Sequence, residues 1–264
     1  MWTTSSACPW RSSRPRSRAG EFGRCSKEGE TVAVADNLAE VRERLAAAAA
    51  RAGRAARPPR LVVVTKNQPD EALLEAARAG QLDLGENYLQ KALPRMQIAG
   101  LEDVRWHLVG RLQSNKAKRA ADAFYLLHGI DSASAGRALS RAVVALGEAA
   151  APCRLLMQIK LGGDQGRAGV EEAQAEQLLR QLADMPGLSI EGLTGVADPG
   201  QEARPQFERL RLLQERLRGL ELPRAAMVEI SAGMSADYED AIMEGSTMVR
   251  IGRAVFGQRE GGES

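Results

Sequence analysis

The chain has 264 residues, enough for one large α/β domain or two smaller ones. Its formal net charge of +2 gives no reason to expect a nucleic-acid partner, and no apolar run is long enough to span a membrane. Cys8, Cys25 and Cys153 form no CxxC pair, which is typical of a reducing compartment and predicts a cytoplasmic protein. The two histidines, His107 and His128, lack metal-ligand spacing, so no zinc site is predicted.

The first 34 residues differ in composition from the rest of the chain. Arginines alternate there with serines, glycines and prolines, without a sustained apolar period. Such a segment buries too little apolar surface to offset its ordering entropy. We interpret residues 1–34 as a disordered basic tail or as upstream sequence from a misassigned start. Residues 35–264 are predicted to form the folded domain.

Order is predicted to begin near Asp36, which can cap a helix running to about Ala52. Eight apolar, strand-like runs follow, at 61–65, 82–85, 105–109, 124–130, 154–161, 189–196, 226–231 and 247–251. Helical patterns lie between them, at 70–79, 88–99, 113–122, 134–149, 171–185, 202–219 and 235–244. This alternation indicates parallel βα units. Eight units predict a single (β/α)8 barrel of the TIM type, preceded by an N-terminal helix.

The first strand-like run leads directly into a lysine. Residues 61–65 are apolar on both faces, which is typical of a strand covered on both sides. Lys66 therefore lies at the C-terminal strand end, where barrels of this type carry their chemistry. A lysine held against an apolar strand end loses hydration, which disfavours its charged form and gives a nucleophilic amine. The alternative is a solvated lysine that marks where the strand leaves the core.

The C-terminal strand ends are predicted to share one mouth, formed by Lys66, Glu86, Asn87, His107, Asp131, Lys160, Ser231 and Arg250. The seventh and eighth βα loops commonly bind phosphate in such barrels. Here Gly233 and Gly252 let backbone N–H groups approach an anion, and Ser231 and Ser235 supply hydroxyl donors. A helix start after Ser235 is expected to add a positive dipole end. These loops favour a phosphorylated ligand, unless the glycines only shape turns and the serines only cap helices.

A phosphate cradle facing a buried amine indicates a phosphorylated carbonyl compound held as an imine. Pyridoxal 5′-phosphate (PLP) is one candidate, and the sugar-phosphate substrate of an aldolase is another. Arg250 can donate to a pyridine nitrogen, which favours PLP. Alternatively, Arg250 forms a salt bridge with a carboxylate such as Glu86 or Glu229.

Six stretches of the chain match a known family in order and spacing: Asn37–Val41, Val64–Lys66, Gly85–Tyr88, Trp106–Lys116, Ser231–Ser235 and Gly245–Gly252. On these residues, the region from about Asp36 to Arg259 resembles the pyridoxal phosphate homeostasis proteins, whose single domain is similar to the barrel of alanine racemase. The resemblance implies PLP as the cofactor and Lys66 as the Schiff-base lysine. It also implies the remaining contacts: Ser231, Met234 and the backbone of Gly252 and Arg253 around the phosphate, Arg250 near the pyridine nitrogen, and Asn87 near the ring.

The chain departs from the family pattern at three places. Arg253 stands where the family usually has a small hydroxyl residue, so one side-chain donor to the phosphate is lost while the backbone N–H remains. Ala232 replaces a bulkier apolar residue. The triplet 167–169 (Arg-Ala-Gly) stands where a lysine-containing triplet is common.

Two polar residues of the Trp106–Lys116 stretch are candidates for supporting positions around the cofactor. His107 is either a base or, as we favour, a core histidine bonded to the backbone. Asn115 begins a helix with several basic residues, for which a solvated face is the ordinary interpretation.

Three functions are compatible with a lysine that forms an imine: cofactor binding and delivery, amino-acid racemisation, and aldol cleavage. Racemisation needs a second acid or base, which in alanine racemase comes from a separate domain and the partner subunit. This chain is expected to lack that domain, since it ends about one helix after the eighth strand. An arginine at the pyridine nitrogen also weakens the ring as an electron sink.

The aldolase interpretation accounts for the lysine and the phosphate loops, but the other matched stretches give it no support. We therefore predict a protein that binds PLP and delivers it to PLP-dependent apoenzymes, without strong catalytic activity, and a low-activity racemase is the alternative. The complete one-domain mouth predicts a monomer.

Overall fold

A computed structural model describes residues 33–162 and 168–257 of the chain. The first helix, α1 (Ala33–Arg51), begins three residues before Asp36. Asp36 thus lies in the first turn, and its predicted role as the cap is wrong. Val34, which the sequence assigned to the tail, is 7% exposed and packs in the core. The rest of the predicted tail, residues 1–32, lies outside the described residues.

Eight parallel strands close into a barrel in chain order, and the last pairs with the first. The strands are β1 (Arg60–Val64), β2 (Asp83–Glu86), β3 (Arg105–Arg111), β4 (Leu126–Ile130), β5 (Cys153–Lys160), β6 (Leu188–Val196), β7 (Ala225–Ser231) and β8 (Met248–Ile251). The predicted (β/α)8 barrel is confirmed, with the N-terminal helix preceding its first strand.

The connecting helices are α2 (Asp70–Arg78), α3 (Leu89–Arg95), α4 (Ala117–Ala120), α5 (Ala133–Val144), α6 (Ala175–Ala183), α7 (Ala203–Arg218), α8 (Tyr238–Met243) and α9 (Arg253–Phe256). Short 3-10 turns at Ser114–Lys116 and Glu172–Gln174 precede α4 and α6. Within the described ranges, no helix is long and apolar enough to cross a membrane.

The core has two parts, and β1 contributes to both of them. Val62 packs inside the barrel with Leu126, Leu156 and Met248. Val63 instead belongs to the larger cluster between the strands and the helices. Alternate side chains of β1 are therefore buried on opposite faces, which explains why its sequence is apolar without alternation.

The N-terminal end of the barrel is filled by charged side chains around Tyr125. The guanidinium carbon of Arg154 lies 4.5 Å from the centre of the Tyr125 ring, and those of Arg105 and Arg60 lie at 5.5 Å and 5.8 Å. Each arginine also pairs with a carboxylate, and the three acids are Glu191, Asp83 and Glu229. These arginines are thus neutralised locally, and the C-terminal end is left for ligand binding.

Two local predictions differ from the structure in ways that matter for the site. β3 extends to Arg111, so His107 is the third of seven strand residues and not a strand end. The helix after β7 begins at Tyr238 instead of Ser235 and has only six residues. Its first turn therefore gives no support for the helix-dipole contribution that the sequence predicted at Ser235.

Candidate functional site

Lys66 occupies the corner of a tight turn directly after β1. The N–H of Gln68 donates to the Thr65 carbonyl at 3.1 Å, which closes a four-residue turn around Lys66 and Asn67. Asn67 has φ +58°, the left-handed conformation that the third position of a type II turn requires and that asparagine tolerates. Lys66 is half-buried. The turn thus holds the lysine backbone at the C-terminal end of β1, as predicted.

Arg95 braces this turn from α3, a role that the sequence analysis missed. Its guanidinium donates to the main-chain carbonyls of Thr65, at 3.2 Å, and of Gln68. It also pairs with Glu86, a fully buried carboxylate at the end of β2. Thr65 Oγ1 donates to Glu86 at 3.0 Å, so the same carboxylate ties β1 to β2 beneath Lys66.

The seventh loop meets β8 through its backbone at the same end of the barrel. The N–H of Arg250 donates to the Gly233 carbonyl at 2.9 Å. Gly233 has φ +94°, and a Cβ there would lie 2.8 Å from the Tyr238 Cα. A Cβ at Gly252 would lie 2.9 Å from the Val64 carbonyl oxygen. Only glycine fits at both positions, so the seventh loop packs closely against α8 and the eighth loop packs closely against β1.

Several backbone donors of these loops remain available to an anion. The N–H groups of Ser235, Ala236 and Arg253 donate no hydrogen bond within the described ranges of the chain. The N–H of Met234, by contrast, is taken by Asp237 Oδ1 at 2.6 Å. Converging backbone N–H groups in loops of this kind form anion sites.

Arg250 is the central cation of the mouth, and it is 7% exposed. Its Nη1 donates to Thr194 Oγ1 at 2.9 Å and to Ser231 Oγ at 2.7 Å, and its Nη2 donates to the Gly195 carbonyl at 2.9 Å. Burial lowers the pKa of Arg250 to about 10, against the opposing effect of the charge on Asp237.

The predicted alternative of a salt bridge from Arg250 to Glu86 or Glu229 is wrong. Glu86 pairs with Arg95, and Glu229 pairs with Arg60 at 3.8 Å. In the described part of the chain, Arg250 forms no ion pair with any carboxylate. Its charge is held by carbonyl and hydroxyl dipoles alone.

The other predicted residues divide between the mouth and the interior. Asn87 follows β2 and is half-buried, as is Ser235, while Met234 is 38% exposed. Asn115 is exposed on the 3-10 turn after β3. At the mouth, Lys160 pairs with Glu171 at 3.0 Å.

His107 lies inside the barrel, away from the strand ends. Its Nε2 is 3.0 Å from Asp83 Oδ1, and its Nδ1 is 3.0 Å from His128 Nε2. The expected hydrogen bond to the backbone is therefore wrong, because both ring nitrogens meet side chains. Burial lowers the pKa of His107, against the raising effect of Asp83. Burial and the neighbouring His107 hold the pKa of His128 well below its ordinary value.

Fold and site together define a TIM-type barrel with a lysine in the turn after its first strand and available backbone donors in its seventh and eighth loops. The chain belongs to the family described as alanine racemase, N-terminal domain, whose sequence model matches residues 36–260. The resemblance found in the sequence is thereby confirmed.

Relatives of known name match this chain over nearly their whole length. The pyridoxal phosphate homeostasis protein of Escherichia coli (strain K12) is 36% identical over 230 residues, which cover 86% of this chain and 97% of the relative. The protein of the same name from Pseudomonas aeruginosa is 34% identical over 229 residues, covering 87% and 97%. The solved structure of PipY from Synechococcus elongatus PCC7942 with PLP bound is 34% identical, with a TM-score of 0.74, and covers 85% of this chain and all of PipY.

Proposed function

We propose that this protein binds PLP as a Schiff base on Lys66 and serves the intracellular homeostasis and delivery of that cofactor, without strong catalytic activity. The observation that carries the proposal is Arg250, a buried cation at the mouth that has no carboxylate partner in the described residues. A buried charge without a counterion is unfavourable unless a ligand or a set of dipoles compensates it. Neutral dipoles of Thr194, Ser231 and Gly195 engage Nη1 and Nη2, and a ligand with acceptor groups would add to this compensation.

The residues around Arg250 suit the phosphate and the ring of PLP. The N–H groups of Ser235, Ala236 and Arg253 can donate to phosphate oxygens, and Gly252 lets the eighth loop pack closely against the end of β1. The exposed Arg253 then contributes its backbone in place of the hydroxyl group that the family usually has there. Met234 would lie beside the phosphate, and Asn87 beside the ring.

PLP, when bound, supplies a reactive aldehyde and an electron-withdrawing ring. Lys66 would hold that aldehyde as an imine, formed by its amine with loss of water, and the turn keeps the lysine at the strand end. Arg250 can only donate hydrogen bonds. It therefore offers the ring nitrogen a hydrogen bond while keeping its own proton, which leaves the ring a poor electron sink. This arrangement favours holding and releasing the cofactor over turnover of amino acids.

The deciding experiment is the visible absorption spectrum of the purified protein with PLP, followed by borohydride reduction and peptide mapping. We expect the reduced cofactor on Lys66, and we expect Lys66→Ala to lose both the absorption band and the modification. Lys160→Ala is the matched control, because Lys160 is the last residue of β5 and lies at the same end of the barrel but is engaged by Glu171. Cofactor found on Lys160 or Lys116 in the wild type would refute the assignment.

Delivery requires that the bound cofactor reach another protein. We expect the loaded protein to restore activity to a PLP-dependent apoenzyme while a scavenger removes free PLP from solution. Low-activity racemisation is distinguished by deuterium incorporation into alanine. Exchange at the rate of a dedicated racemase would favour that alternative.

A further inference from the structure

A continuous line of buried polar side chains runs through the barrel interior from Arg250 to the N-terminal end. Arg250 Nη1 is 2.7 Å from Ser231 Oγ, and Ser231 Oγ is 3.0 Å from His128 Nδ1. The line continues through His107 to Asp83, with 3.0 Å at each contact. All five side chains belong to residues that are at most 7% exposed. We call these five residues the interior chain.

The two ends of the interior chain fix its direction. Arginine has no acceptor, so Arg250 must donate to Ser231 Oγ. At the other end, burial acts to raise the pKa of Asp83, but hydrogen bonds from His107 and Arg105 hold it below its ordinary value. Asp83 is therefore an ionised carboxylate at neutral pH and can only accept.

The hydrogen atoms between the ends can then be placed one by one. Both histidines are neutral, since each carries a lowered pKa, and each therefore has one N–H donor and one acceptor nitrogen. His107 must donate from Nε2 to Asp83, which leaves its Nδ1 to accept from His128 Nε2. His128 Nδ1 is then an acceptor, and the Ser231 hydroxyl must donate to it. Each contact has one donor and one acceptor.

We propose that Asp83, His107 and His128 are positioning residues for Arg250, acting through Ser231. With its proton committed to His128, the Ser231 hydroxyl turns a lone pair toward Arg250 and does not offer its proton to the ligand. Ser231 thus serves the cofactor site by holding the arginine, and the phosphate is left to the backbone donors and to the Ser235 hydroxyl. The proposal rests on the proposed function only in taking Arg250 to face the cofactor.

Three consequences separate this role from a structural one. Both histidines have a defined tautomer before any ligand binds. Replacement of His128 by glutamine can preserve the chain, because the amide oxygen accepts from Ser231 and the amide nitrogen donates to His107. Replacement by leucine breaks the chain, since it leaves the Ser231 proton without its buried acceptor.

The first test is nitrogen-15 NMR of the imidazole rings in the tag-free, ligand-free protein at pH 7.5. The chain contains only two histidines, so two rings account for the whole spectrum, and His107→Gln assigns them. We expect both rings to be neutral and protonated at Nε2. A charged ring, or a His128 ring protonated at Nδ1, would overturn the proposal.

The second test is the dissociation constant for PLP in His128→Leu and His128→Gln. We expect leucine to weaken binding by about twofold to tenfold, the effect of one neutral hydrogen bond, and glutamine to restore it. Gln214→Leu is the control, because it removes a buried amide whose Oε1 accepts from Leu193, outside the interior chain. Wild-type affinity in folded His128→Leu, equal loss in the glutamine variant, or equal loss in the control would refute positioning.

The two tests also separate the two proposals. If the wild type fails to bind PLP, the proposed function is refuted, whereas the tautomers measured without ligand still decide the direction of the interior chain.

Discussion

Mild acid is predicted to destabilise the fold through the two interior histidines. In the unfolded chain a histidine titrates near pH 6.5, whereas burial keeps His107 and His128 neutral to lower pH in the barrel. A folded-state pKa below the unfolded value means that the unfolded chain binds more protons as the pH falls. The stabilising contribution is therefore complete above about pH 6.5 and is lost as the pH falls toward the folded-state pKa.

The size of the effect follows from the unfolded-state titration. Between pH 7.5 and pH 5.5, protonation stabilises the unfolded chain by at most about 1.4 kcal/mol for each histidine that stays neutral in the barrel. His128 should approach this limit, because its pKa is lowered well below the ordinary value. The two histidines together give at most about 2.7 kcal/mol, which corresponds to a melting temperature lower by up to about 10 °C for a domain of this size.

The assay is urea unfolding followed by circular dichroism at fixed ionic strength, from pH 7.5 to pH 5.5. Carboxylates contribute little in this window, since their unfolded pKa values lie near 4. We expect His128→Gln to flatten the dependence by about half while remaining folded. A wild-type free energy of unfolding that is constant over the window, or a His128→Gln variant with the full wild-type slope, would show that these rings already titrate normally in the fold.

Three further predictions address the mouth and the chain start. Arg250→Glu should weaken PLP binding roughly tenfold to a hundredfold, because a charge-assisted hydrogen bond is lost. It should also increase the α-proton exchange of added alanine per bound cofactor. An unchanged affinity in a PLP titration would contradict this prediction. Arg95→Met should lower the free energy of unfolding by about 3 kcal/mol in urea titrations, because buried Glu86 loses its cation, whereas a loss under 1 kcal/mol would show that Thr65 suffices. Deleting residues 1–32 should leave the melting temperature unchanged, while a deletion that extends through Val34 should lower it, and equal melting curves would contradict this boundary.

The sequence was sufficient to predict the barrel because the strands are short apolar runs and the helices between them are amphipathic. It also placed Lys66 and the two glycine loops correctly, since each directly follows an apolar run. It failed at His107, which was counted among the strand-end residues although the predicted run 105–109 already places it in the middle of β3. It missed the ion pair between Arg95 and Glu86, because the sequence around either residue does not show that α3 contacts the end of β2.

The interior chain was beyond sequence analysis for a related reason. Its members come from β2, β3, β4, β7 and β8, and only closure of the barrel brings them into one line. A polar residue within an apolar strand, such as His128, signals that a partner is needed but does not name the partner. Polar residues within predicted barrel strands should therefore be considered as hydrogen-bond partners of one another before each is assigned a separate role.

Under the proposed function, the features that make Arg250 a good anchor also make it a poor participant in catalysis. Its guanidinium is held by Thr194, Ser231 and Gly195, and even with a pKa lowered to about 10 it remains charged at neutral pH. A guanidinium that is fixed by these three residues and keeps its proton cannot transfer protons to the ring during turnover. It can present a constant hydrogen bond to a ligand that arrives and leaves unchanged. Retention and release of an intact cofactor is the use that fits this geometry.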